Sequence, residues 1–118
     1  MTLAETYSWI FYAIGLASRN KPASIAEIER VADGINHAVP TQKEIQTSIS
    51  WLKKHALIIK SGKKIELSGD GINLINKFSS ESQTILGVWK QVENHFVDIG
   101  IDNSQQINPK NMITEQKH

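Results

Sequence analysis

Apolar residues recur at helical spacing along most of the chain and alternate with polar ones in a single short stretch. Leu3, Tyr7, Ile10, Phe11, Ile14 and Ala17 share one helical face, predicting a first helix that ends near Ser18, ahead of Asn20, Lys21 and Pro22. The same segment carries a second apolar line, Trp9, Tyr12 and Leu16. A helix serving one core does not need that line, so another element must cover it. Ser24 and Glu27 form an S-x-x-E capping box, opening a second helix through Ile25, Ile28, Val31 and Ala32 that Asp33-Gly34 is expected to end.

The stretch from Pro40 to Gly71 organises the rest. Thr41 and Glu44 form another capping box and start a helix at Thr41, in which Ile45, Ile49 and Leu52 make one apolar face. Gln42, Lys43, Gln46, Thr47, Ser50, Lys53 and Lys54 fall elsewhere around the cylinder, so this helix is buried on one side only. Leu57, Ile58 and Ile59 favour a strand, Ser61-Gly62 signals a turn, and Ile65 and Leu67 alternate with Lys64, Glu66 and Ser68, predicting a hairpin with a basic tip. Ser68 can cap a fourth helix carrying Ile72, Leu74, Ile75 and Phe78, after which Ser79, Ser80, Glu81 and Ser82 break the pattern. Ile85, Val88, Trp89, Val92 and Phe96 predict a fifth helix despite Gly87, and its natural partner is the second apolar line of the first. From Asp98 to His118 the chain is polar and rich in Asn and Gln, as expected of an irregular or mobile tail.

At 118 residues the chain is expected to form one domain. The absence of cysteine excludes disulfides, thiolate metal sites and cysteine nucleophiles. Apolar runs are far shorter than the roughly 20 residues of a membrane span, and Glu5, Thr6 and Ser8 interrupt any secretory pattern, so a cytoplasmic location with no membrane partner is the expectation. Net charge is only +1, but Lys43, Lys53, Lys54, Lys60, Lys63 and Lys64 stand against Glu44 alone between Thr41 and Lys64, a local 6 − 1 = +5. Lysines also solubilise any exposed helix and turn, so the cluster alone does not decide between a binding surface and a solvated face.

The order helix, hairpin, helix resembles the winged helix-turn-helix of bacterial regulators, a mainly α fold with a small β-hairpin. The resemblance rests on Leu52-Lys53-Lys54-His55-Ala56-Leu57-Ile58, similar to L-x-x-x-G-L-I, and on Ile65-Glu66-Leu67-Ser68-Gly69-Asp70-Gly71, similar to Y-x-L-T-x-x-G. Ala56 stands where that family prefers glycine. The resemblance implies a winged helix-turn-helix domain over 1–80, an additional C-terminal packing or dimerisation helix over 81–97, and the tail over 98–118. In the multiple-antibiotic-resistance and PadR groups, which are similar in architecture only, outer helices build a twofold dimer, and a dimer would set two recognition helices roughly 34–36 Å apart. Trp9, Tyr12, Leu16, Ile85, Trp89, Val92 and Phe96 are the candidates for that interface or for packing within one chain.

With double-stranded DNA as partner, Gln42, Lys43, Gln46, Thr47 and Ser50 would read bases and Lys53, Lys54, Lys60, Lys63 and Lys64 would meet phosphates. The stretch has no arginine, the residue that makes the commonest specific major-groove contact. Trp51 is expected to pack against the hairpin or first helix. No enzyme chemistry is expected: His37, His55, His95 and His118 lack metal-ligand spacing, neither a P-loop nor a GxGxxG is present, and no cofactor is implied. The alternative class is protein contact, such as an immunity or antitoxin protein that binds a toxin, or a dimer built by the outer helices and merely stabilised by the hairpin.

Overall fold

The structure is a computed structural model and describes residues 1–101. The chain is mainly helical with one two-stranded antiparallel hairpin: α1 (Leu3–Ala17), α2 (Ile25–Asn36), α3 (Gln42–Lys54), β1 (Ile58–Ser61), β2 (Lys64–Leu67), α4 (Gly69–Glu81) and α5 (Ile85–Asp98). The tail expected from residue 98 lies, from residue 102 onward, outside the described residues. Asp98 is the last residue of α5, which Gly100 closes at φ 108 while the N–H of Ile101 bonds the Phe96 carbonyl.

Helix starts follow the capping chemistry. Thr41 with Glu44 and Ser24 with Glu27 form reciprocal boxes, and Ser68 accepts from the Gly71 N–H. Thr2 with Glu5 makes a third box that opens α1, from the same T-x-x-E spacing, which the apolar pattern passed over. Helix ends differ more. Gly34 does not stop α2, which continues to Asn36 because Ile35 is buried on the same face as Ile28 and Ala32, and His37 takes the left-handed conformation at φ 55. Likewise α4 runs through Ser79 and Ser80 to Glu81, since exposed serines need no apolar face to stay helical.

The hairpin turn lies one residue later than Ser61-Gly62. Ser61 pairs with Lys64, so Gly62 and Lys63 make the loop, and positive φ at Gly62 but not at Lys63 is the type II′ pattern that matches strand twist. Ala23, just ahead of α2, exchanges two 2.8 Å backbone bonds with Ile65 and ties the start of α2 to β2.

The exit from α3 is a Schellman closure. The Leu57 N–H reaches the Leu52 carbonyl and the Ala56 N–H the Lys53 carbonyl, both at 3.0 Å, with Ala56 at φ 59. Ala56 therefore adopts the left-handed conformation in which glycine is the easier occupant, at a cost of roughly 1–2 kcal/mol. Its carbonyl accepts from the Ser68 hydroxyl at 2.7 Å, and the Ser68 N–H bonds the Leu57 carbonyl at 3.0 Å. Gly71 belongs to the same joint, because a Cβ there would stand 2.3 Å from the Leu57 carbonyl oxygen. The stretch Leu67 to Gly71 is thus a clasp holding α4 to the end of α3.

At the centre is α1, whose residues 6–14 are all buried, with α2, α3, α5, β2 and α4 around it. Its second apolar line is covered within the chain, though not by one element. Trp9 donates its indole N–H to the Ala32 carbonyl of α2 and lies 6.4 Å from Trp89 of α5, while Tyr12 and Leu16 turn toward β2 and α4. Phe96 meets Phe11 edge-on at 5.5 Å and Trp51 at 4.8 Å. Trp51 also stacks on Tyr7 at 5.3 Å, so it packs against the first helix, as expected, and against α5 instead of the hairpin. Buried Ser8 closes the α1–α5 seam, donating to the Ala4 and Glu5 carbonyls while accepting from the Trp89 indole at 2.9 Å.

Candidate functional site

Seven polar residues of α3, Gln42, Lys43, Gln46, Thr47, Ser50, Lys53 and Lys54, lie on the face opposite its buried Ile45, Ser48 and Leu52. Three of them, Gln42, Gln46 and Ser50, form one wall of a groove of ≈ 700 Å³ whose other wall is the hairpin, through Lys60, Gly62 and Lys63. Ile25, Ile45, Ile49 and Ile65 make its floor. The register explains the hairpin wall: Lys60 pairs with Ile65, which puts the exposed lysine on the same face of the hairpin as the buried isoleucine. Lys43, Thr47, Lys53 and Lys54 do not line the groove and continue the polar face along α3.

The lysines are not equivalent. Lys53, Lys54, Lys60 and Lys63 are exposed and Lys43 half-buried, and none has a carboxylate within ion-pair distance among the described residues. Lys64 differs, with its ammonium 4.0 Å from Glu27. The Ser24 backbone N–H and then its hydroxyl hold the Glu27 carboxyl below the usual range, with Lys64 adding to the same effect, so Glu27 stays charged beside the hairpin. Of the expected phosphate contacts, Lys64 alone is thereby partly neutralised among the described residues. Spacing in the sequence could not reveal this, because Glu27 belongs to a capping box 37 residues away.

The packing candidates separate into two groups. Trp9, Tyr12, Val92 and Phe96 are buried within the single chain and Leu16 and Trp89 are half-buried, so their stripe is closed without a second copy. Ile85 is 50% exposed, and beside it Leu86 is 64% exposed. Among the other singled-out groups, His37 and His55 cap α2 and α3, His55 lies 4.1 Å from Trp51, and His95 lies 5.8 Å from Phe78. His118 is outside the described residues.

No family model, curated protein or solved structure matches the chain. Its own geometry must therefore carry any functional reading.

Among the described residues no three His, Asp or Glu side chains gather as a metal site would require, and no helix is long and apolar enough to cross a membrane. What the α3–hairpin surface offers is hydrogen-bonding side chains on the exposed face of a helix, flanked on the hairpin by Lys60 and Lys63, which have no ion-pair partner among the described residues. That combination suits a polyanion with readable polar edges. The Ala23–Ile65 bridge and the Ser68–Gly71 clasp fix α2, α3 and the hairpin to one another, so the surface is presented as one body.

Proposed function

We propose that the protein is a cytoplasmic DNA-binding regulator of the winged helix-turn-helix type, with α3 as recognition helix and the β1–β2 hairpin as wing. One observation carries the reading: Gln42, Gln46 and Ser50 of α3 and Lys60 and Lys63 of the hairpin converge on one open groove, with the hairpin ammoniums unpaired among the described residues. Glutamine can bond adenine through both its amide atoms, and Lys43 at the start of the helix can donate to guanine. Lys53, Lys54, Lys60 and Lys63 would contact phosphates, positioning the helix without specifying sequence. Lys64, occupied with Glu27, would contribute least.

A titration against random duplex DNA, followed by fluorescence anisotropy, tests this. Affinity should fall steeply with salt, and the Lys60→Ala, Lys63→Ala double variant should lower the log–log slope by about 2, roughly 0.9 for each phosphate left without its lysine. Lys64→Ala should change it less than either single variant. No binding even at about 50 mM salt would reject the reading.

Exposed Ile85 and Leu86 favour a second reading, a protein-contact module. They are where a second copy in a homodimer, or a toxin bound by an immunity or antitoxin protein, would seat. Light scattering on the purified chain, and on an Ile85→Asp, Leu86→Asp variant, separates a homodimer from a monomer awaiting another protein.

A further inference from the structure

On the other side of the hairpin, the end of α1, β2 and α4 enclose a second cavity, of ≈ 430 Å³. Leu16, Leu67, Ile72 and Ile75 supply its apolar lining. Polar side chains line it as well: Ser18, Glu66, Asn76 and Ser79, together with Tyr12 and Arg19. Tyr12 is only 6% exposed, yet its hydroxyl has no hydrogen-bond partner among the described residues. Arg19 lies at the same cavity, exposed and with no carboxylate within 4.0 Å among the described residues. The two are close enough to interact: burial raises the Tyr12 hydroxyl above its ordinary range and the Arg19 charge opposes that rise.

The Tyr12 hydroxyl, without a hydrogen-bond partner among the described residues, keeps contact with water at the cavity, and a ligand oxygen can take the place of that water. A guanidinium and a phenol hydroxyl, both without a partner among the described residues, are the donors that a carboxylate takes, bidentately from arginine and singly from tyrosine. The volume lies within the range of small-molecule sites, which pair apolar walls with a few convergent polar groups.

We propose that this cavity binds a small carboxylate with an apolar body, its carboxylate on Arg19 and Tyr12 and its body against Leu16, Leu67, Ile72 and Ile75. Glu66, also at the cavity, repels a second negative charge and so restricts the site to monoanions or to ligands that bring a hydrogen-bond donor. The site is separate from the α3–hairpin groove and does not depend on DNA binding.

The test uses 3-phenylpropionate and its neutral amide as probes, titrated into the full chain labelled with nitrogen-15 and followed by amide NMR shifts. The acid should cause saturable shifts concentrated at Gly15, Leu67, Asn76 and Ser79, and the amide should bind at least roughly tenfold more weakly, the scale of one charge-assisted hydrogen bond. Arg19→Gln, at an exposed position, should erase the preference for the acid. Tyr12→Phe, checked for an unchanged fold by its own spectrum, should weaken the acid several-fold. Equal binding of acid and amide, shifts spread away from these residues, or no saturation at concentrations of about 10 mM, well above ordinary site affinities, would each overturn the proposal.

Discussion

Where α5 lies on α1, Phe96 sits between Phe11 and Trp51, the Trp89 indole donates to Ser8, and Val92 is fully enclosed. Where the hairpin lies beside α3, isoleucines line an open groove together with Lys60 and Lys63, which have no ion-pair partner among the described residues. Two buried serines condense the difference. Ser8 of α1 both donates and accepts, so its burial is matched by bonds. Ser48 of α3 is equally enclosed, and its hydroxyl has no partner among the described residues. The aromatic side is matched bond for bond; α3 carries an unmet hydroxyl on its buried face, a left-handed Ala56 just beyond its end and, on its outer face and the hairpin, lysines of which only Lys64 has an ion-pair partner among the described residues.

If the two sides differ in this way, Phe96→Ala should have the largest effect, about 3–5 kcal/mol of stability in urea unfolding, because it opens a cavity between two rings that now pack against the phenyl group. A cost under about 1 kcal/mol would mean that α5 is only loosely laid on α1. Gly71→Ala comes next, destabilising by about 1–3 kcal/mol, since the new methyl would meet the Leu57 carbonyl and backbone cannot rotate aside as a side chain can. Its effect should appear first as broadened amide signals in the hairpin and α4, which the Ser68–Gly71 clasp joins.

Ser48→Ala should act in the opposite direction, stabilising by about 1 kcal/mol, because it removes an unsatisfied hydroxyl and leaves almost no void. A loss of stability would place a bonding partner on that hydroxyl and weaken the contrast with Ser8. The smallest effect belongs to the lysines: the Lys60→Ala, Lys63→Ala double variant should leave unfolding stability within about 0.5 kcal/mol of the parent, as exposed unpaired residues do. Stability unchanged and DNA salt slope reduced would divide the molecule as the two sides suggest.

Element order, the type of each element and most helix starts were legible in the chain, because capping side chains act on backbone within three residues and apolar periodicity needs only the local twist. Ends were less legible. Gly34 is a sound local stop signal, but Ile35 gains burial by carrying α2 onward, and Ser61-Gly62 is an equally good turn until the pairing of Ser61 with Lys64 decides the register. The polar face of α3 could be read in advance; the groove beside it could not, since it depends on where the hairpin is held by Ala23 and by the clasp.

By itself, then, the order of residues determined five helices, the first apolar along two lines, a basic hairpin and the one-sided burial of α3, all consequences of interactions between near neighbours. Only the tertiary structure decided that α1 is enclosed on every side, that α5 of the same chain covers its tryptophan, that Glu27 reaches Lys64, and that Tyr12 and Arg19 meet at one cavity. Most of these join residues far apart in the chain. Which distant groups meet is set by how whole helices share a single core, and no local rule contains that information.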